Sequence, residues 1–161
     1  MTTTQAPAQP TVAVTVDNFV RAESDLYFSA VAIKEGGFGR FEHKRELTPL
    51  DQQNVIRQNR DTLYSAAVFD LDAGPVTITL PETNGRFQSL QLITEDEYTP
   101  PTIYGAGPHA ITKEQIGTRY VMAAVRTFVD PSTPSDLEGA HRLQDALTIE
   151  QIASRVDRSA V

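Results

Sequence analysis

The sequence predicts a β-rich, α+β domain: an antiparallel β-sandwich with one helix ahead of it and helices after it, packed at its periphery. Three observations point that way. Apolar residues recur at helical spacing before residue 35, and between residues 63 and 93 they alternate in short runs cut by Gly-Pro and Asn-Gly turns. A long apolar run, "RYVMAAVRTFV", then precedes two further helical patterns. Helices, then strands, then helices fit this class better than an alternating α/β chain does.

Each element has a local reason. Val16, Phe19, Val20, Glu23, Leu26, Tyr27, Ala30 and Ile33 share one stripe of a helix expected over about 17–34. Thr15 or Asp17 would cap its start, and Gly36-Gly37 would end it through the left-handed conformation open to glycine. Glu23 either sits at the rim of the stripe with its carboxylate in water or faces a polar cavity. "TPLDQQNVI" reads as a short helix, with Thr48 as cap, Pro49 in the first position and Asp51 as capping partner.

Three strands are then expected. In Leu63–Leu71, residues Leu63, Ser65, Ala67, Phe69 and Leu71 share one face, with Tyr64, Ala66, Val68 and Asp70 on the other. "VTITL" turns Val76, Ile78 and Leu80 inward. "RFQSLQLI" follows the Asn84-Gly85 turn, and short turns predict that the three form an antiparallel meander. Pairing resumes at Thr102–Tyr104, "GAGPHA" is expected as a loop, and Thr112 caps one helical turn. "RYVMAAVRTFV" reads as a central strand. Ser135 and Glu138 would form a capping box for a helix lined by Leu137, Ala140, Leu143 and Leu147. Thr148 and Gln151 would cap a last helix with Ile149, Ile152 and Val156 as its apolar set.

The 161 residues suffice for one domain, expected over 15–161 behind a disordered tail over 1–14 rich in Thr, Gln, Pro and Ala. A net charge of -7 argues against nucleic-acid and anionic-membrane partners. No stretch approaches a membrane span, and the N-terminus has neither the basic region nor the apolar run of a secretory signal, so a cytoplasmic protein is expected. The absence of cysteine excludes disulfides, thiolate chemistry and cysteine-based metal sites. His43, His109 and His141 have no metal-ligand spacing, so no metal or cofactor is assigned.

"RQNRDTLYS", residues 57–65, gathers charge at the mouth of a core strand. Arg57 and Arg60 offer planar forks for a carboxylate or phosphate, and Asn59 and Tyr64 would orient such a ligand. The same residues also read as a structural corner, with Asp61 capping a turn, an arginine paired to it and Tyr64 burying its ring. Glu95, Asp96, Glu97 and Tyr98 end the third strand. Glu95 or Glu97 with Asp61 is a candidate carboxylate pair, although an acidic strand end also serves as a solvated loop.

Asn59 to Ser65, Gly74-Pro75, Pro81 to Phe87, Arg126 to Asp130, and Leu143 to Asp145 stand in an order that resembles the bacterial domain-of-unknown-function family 1254. The resemblance spans about residues 15–150 and implies a β-rich, jelly-roll-like fold. Larger members usually carry a following domain of the family numbered 1214; the resemblance implies a single-domain member that lacks it. It brings no settled activity.

Two functional expectations result. One is a pocket for a small polar or anionic molecule, with Arg57, Asn59, Arg60 and Tyr64 as ligand contacts and Tyr98 at the rim. If the protein is an enzyme, Asp61, Glu95 and His109 would supply hydrolytic acid–base chemistry. The other is a non-catalytic assembly module, a homodimer joined through an apolar helix or a sheet edge.

Overall fold

In the computed structural model, the structure describes residues 11–51 and 57–151. It is mostly β, with two antiparallel sheets. The helix α1 (Phe19–Ser29) runs directly into a π-helical turn, Ala30–Lys34. The strands are β1 (Glu42–His43), β2 (Thr62–Asp70), β3 (Val76–Leu80), β4 (Gln88–Thr94), β5 (Gly107–Ile111), β6 (Tyr120–Phe128) and β7 (Thr148–Gln151). Between them lie the single turn α2 (Lys113–Ile116) and the helix α3 (Pro134–Asp145). One sheet has the order β1-β2-β6-β4 and the other β5-β3-β7.

The expected meander does not form. β2 and β4 belong to the first sheet and β3 to the second, so the links at 71–75 and 81–87 pass between layers. The edges of β2 are occupied by β1 and β6, which leaves β3 none to join. Crossing over instead lets Val76, Ile78 and Leu80 close on Ala67, Phe69, Leu90 and Leu92 in one core. Burial on the scale of these aliphatic side chains contributes roughly 1.5–3 kcal/mol each. The face assignment of β2 holds: Leu63, Ser65, Ala67, Phe69 and Leu71 are all buried. β6 is central, as its apolar run requires, and Leu90 pairs with Ile103 as an isolated bridge.

Two segments adopt strands where other structure was expected. β5 includes Pro108, which has no amide to donate; this is tolerated because β5 is an edge strand paired only with β3. β7 replaces the start of the expected last helix: Thr148, Ile149 and Glu150 alternate polar and apolar, and β3 presents a free edge on which Ile149 lies opposite Ile78. The rest of that expected helix, from Ile152, lies outside the described residues. So does most of the short helix expected after Thr48, of which Leu50 and Asp51 are seen in a turn.

Helix α1 lies where expected, but neither Thr15 nor Asp17 caps it. Asn18 is the cap residue, and its side chain ties back to the Thr15 amide and the Ala13 carbonyl. The buried side of α1 centres on Ser24 and Phe28, with Phe28 packed on Val68 and Met122 of the outer face of the first sheet. The apolar stripe read from the sequence is therefore largely turned to solvent: Phe19, Leu26, Tyr27 and Ile33 are each more than half exposed. Gly36, at φ +83, ends the helical stretch as expected.

Helix α3 starts earlier than the Ser135–Glu138 box would place it. Thr133 is the cap and Pro134 takes the first turn, because its fixed φ is already helical. Ala140 packs with Leu63 and Val129, and Gln144 is completely buried. The Gln144 amide donates to the carbonyls of Lys44 and Tyr64 and to Ser65 Oγ, each at 3.2 Å, and so joins α3 to β2 and the segment after β1. Gln144→Leu preserves bulk but removes these bonds. A loss of about 1–3 kcal/mol in urea unfolding is expected; an unchanged midpoint would show that the amide is dispensable.

Candidate functional site

The mouth of β2 is built by local bonding. Asn59 Oδ1 accepts from the amides of Asp61 and Thr62 at 2.9 and 3.1 Å and from Thr62 Oγ1 at 3.0 Å, an Asx turn that starts the strand. Arg60 Nε donates to the Thr48 carbonyl at 2.9 Å, and the Asp61 carbonyl accepts from the Val129 amide at 2.8 Å. The Asp61 side chain is exposed, as is Arg57, which holds φ at +60. Neither arginine forms an ion pair with Asp61 among the described residues.

Register then places Tyr64, Arg126 and Ser89 in one row across β2, β6 and β4. The Arg126 guanidinium carbon lies 5.6 Å from the centre of the Tyr64 ring, and Nε donates to Thr62 Oγ1 at 3.4 Å. Beside this row is a cavity of about 460 Å³ lined by Lys44, Glu46, Thr48, Gln58, Thr62 and Tyr64, among others. Lys44 pairs with Glu35 at 2.9 Å on its wall. Of the residues expected to contact a ligand, Tyr64 lines this cavity; Asn59 and Arg60 are engaged in shaping the strand entry.

Arg126 differs from the other arginines that bridge elements. Arg21 holds Glu95 and Asp96, Arg45 holds Asp145, Arg86 holds Asp136, and Arg119 holds Asp70. No carboxylate pairs with Arg126 among the described residues, although it is half-buried. Sequence reading used Arg126 only as part of a motif. The signal was a charge within an otherwise apolar central strand. Lys44, Glu46 and Thr62 carried no comparable signal.

The other expected residues stand elsewhere. β4 runs parallel in direction to β2, because each is antiparallel to β6. Asp61 and Glu95 therefore lie at opposite ends of the first sheet, on the order of 25 Å apart at about 3.3 Å per residue. Glu95 is 8% exposed and accepts from the Tyr120 amide at 2.9 Å, while Arg21 reaches it at 3.2 Å from α1. Its carboxylate fastens helix to sheet. Glu97 is exposed, at φ +61, and accepts from Ser24 Oγ at 3.4 Å. Tyr98 is 75% exposed. His109 is on β5, in the second sheet, and its Nε2 lies 3.2 Å from the Gly105 carbonyl oxygen.

Two further hollows flank these elements. One of about 550 Å³ is bordered by Arg86, Phe87, Phe128 and Asp136. Its guanidinium is already neutralised: Arg86, first, and the Asp130 amide, second, hold the Asp136 carboxyl down at about 2. The other, about 660 Å³, is an apolar slot between α1 and Tyr120. No group of three or more histidine or acidic side chains placed to hold a metal occurs among the described residues. Nor is any helix there long and apolar enough to cross a membrane.

This arrangement defines a β-rich domain of two antiparallel sheets with polar residues gathered at one end of the larger sheet. Residues 38–99 match the model of a family described as Protein of unknown function (DUF1254). The resemblance read from the motifs is thereby borne out over that segment, which holds β1 through β4 and the Tyr64 row's first and third strands. Among solved structures, the chain is similar to the VPA0106 protein from Vibrio parahaemolyticus, with a TM-score of 0.64 and 17% identity over 84% of this chain and 36% of that one. That likeness concerns the fold. The chain spans little more than a third of that protein's length. No curated protein matches the chain.

Beneath the Tyr64 row, His43 Nδ1 lies 2.8 Å from Ser65 Oγ, and Ser65 is fully buried. Burial first, and nearby Arg45 second, push the His43 pKa below its usual 6.5. Between the two values the unfolded chain binds more protons than the folded one, so stability rises with pH. The contribution of neutral His43 is complete above 6.5 and is lost as pH falls toward the folded value. Thermal midpoints should fall across this window in the native protein and fall less in His43→Gln. Equal slopes in both proteins would remove His43 as the cause.

Proposed function

We propose that the protein binds a small polar or anionic molecule beside the Asn59–Tyr64 segment, with Arg126 as the recognising cation. The observation that carries this reading is Arg126, half-buried on the central strand with no carboxylate partner among the described residues; Arg60, also half-buried and without a carboxylate, is engaged by the Thr48 carbonyl. Tyr64 and Thr62 contact Arg126 and also line the adjoining cavity. Tyr64 would supply a ring face, Thr62 a hydroxyl, and Lys44 a second positive charge. Arg57, next in sequence to the lining residue Gln58, would add an exposed fork.

The reading is one of binding rather than hydrolysis. Asp61 and Glu95 occupy opposite ends of the first sheet, His109 lies in the second, and the Glu95 carboxylate is engaged by Arg21 and the Tyr120 amide. A thermal-shift screen with small carboxylates, phosphate and neutral sugars, followed by calorimetry, tests it. A small carboxylate or phosphate should bind, and Arg126→Ala should weaken it by about 10- to 100-fold, the worth of one charge-assisted bond. Arg126→Lys should recover only part. Affinity indifferent to Arg126, or no shift with any anion, would refute the reading.

A further inference from the structure

We infer that the exposed face of α1 is an interface for a second copy of this chain, pairing α1 with α1 antiparallel. The inference is independent of the ligand reading. Along α1 and into the first residue of the π-helical turn, Phe19 and Leu26 repeat at seven residues, as do Glu23 and Ala30, and Phe19, Glu23, Leu26 and Ala30 follow the three-four spacing of a helix-pairing seam. Apart from Glu23 the seam is apolar, and it is open: Phe19 and Leu26 are 55% and 54% exposed, with Tyr27 beside them at 53%. The helix reaches its own sheet with other residues, Ser24 and Phe28.

Area favours a second copy. Phe19, Val20, Leu26, Tyr27 and Ile33, between 47% and 78% exposed, leave on the order of 500 Å² of apolar surface per chain, as large as the greatest patches on stable monomers. Pairing two would remove on the order of 1,000 Å², the lower bound for a specific interface. Parallel pairing would set Glu23 against Glu23 at one level of the seam, a like-charge contact. Antiparallel pairing over residues 19–30 staggers those carboxylates. It seats the bulky Phe19 against Ala30 of the second copy and Leu26 beside Glu23, whose head can stay at the rim. The net charge of -7 disfavours an anionic lipid surface as the occupant.

Light scattering at about 100 µM should return twice the 17.7 kDa chain mass. Leu26→Glu should give a monomer with unchanged circular dichroism, and Tyr27→Lys serves as a second variant if the first misfolds. Because the chain has no cysteine, a Phe19→Cys/Ala30→Cys double variant under mild oxidation should form a covalent dimer, while neither single variant should. A native monomer overturns the inference, whether or not it floats with phosphatidylcholine vesicles. So does a dimer that survives both surface variants. A covalent dimer from Phe19→Cys alone overturns the antiparallel arrangement.

Discussion

Strand β6 is hydrogen-bonded along both edges, to β2 over nine paired positions and to β4 over seven. Its inward residues Val121, Ala123 and Val125 have no exposure, so a slip of one residue would drive the core set to the outer face. This double pairing fixes what lies beside what on the outside of the sheet. Arg126 is held level with Tyr64 and Ser89, and Met122 with Val68 and Ile93. The first row is the polar end; the second is the floor on which α1 rests. The polar side chains and the helix are thus addressed by one ladder.

Ion pairs then strap peripheral elements to that ladder. Arg21 joins α1 to the end of β4, Arg86 joins the turn before β4 to α3, and Arg119 joins the start of β6 to the end of β2. Such pairs at partly exposed sites contribute little net stability; they hold elements in place. Arg126 carries no such strap among the described residues. A guanidinium in an edge loop could simply face water, whereas this one is half-buried on the central strand.

Much of this was legible in the chain. Period-two alternation placed β2, β3 and β4, and the apolar length of β6 marked it as central. What turn chemistry could not disclose was the layer: Asn84 and Gly85, at φ +52 and +89, specify a reversal but not whether the returning strand pairs with its predecessor. For α1, the pattern disclosed an apolar stripe without disclosing which side meets the sheet. The small Ser24, which sequence reading passed over, sits at the contact. In β5, Gly107 and Pro108 masked a strand that an edge position tolerates. At the candidate site, the charges crowded before Leu63 drew notice, yet Asn59 and Arg60 are spent on the strand entry. Arg126, more than sixty residues away, reaches the same row only through pairing that no local pattern encodes.

Pro108 has an outcome beyond its own sheet. Unpaired strand borders recruit stray strands, and a proline interrupts the row of amides such a recruit would need. β5 thus presents a broken template, while Ile103 bridges to Leu90 on the outer strand of the other layer. Open-ended stacking of these domains, border upon border into fibres, is hindered at both places.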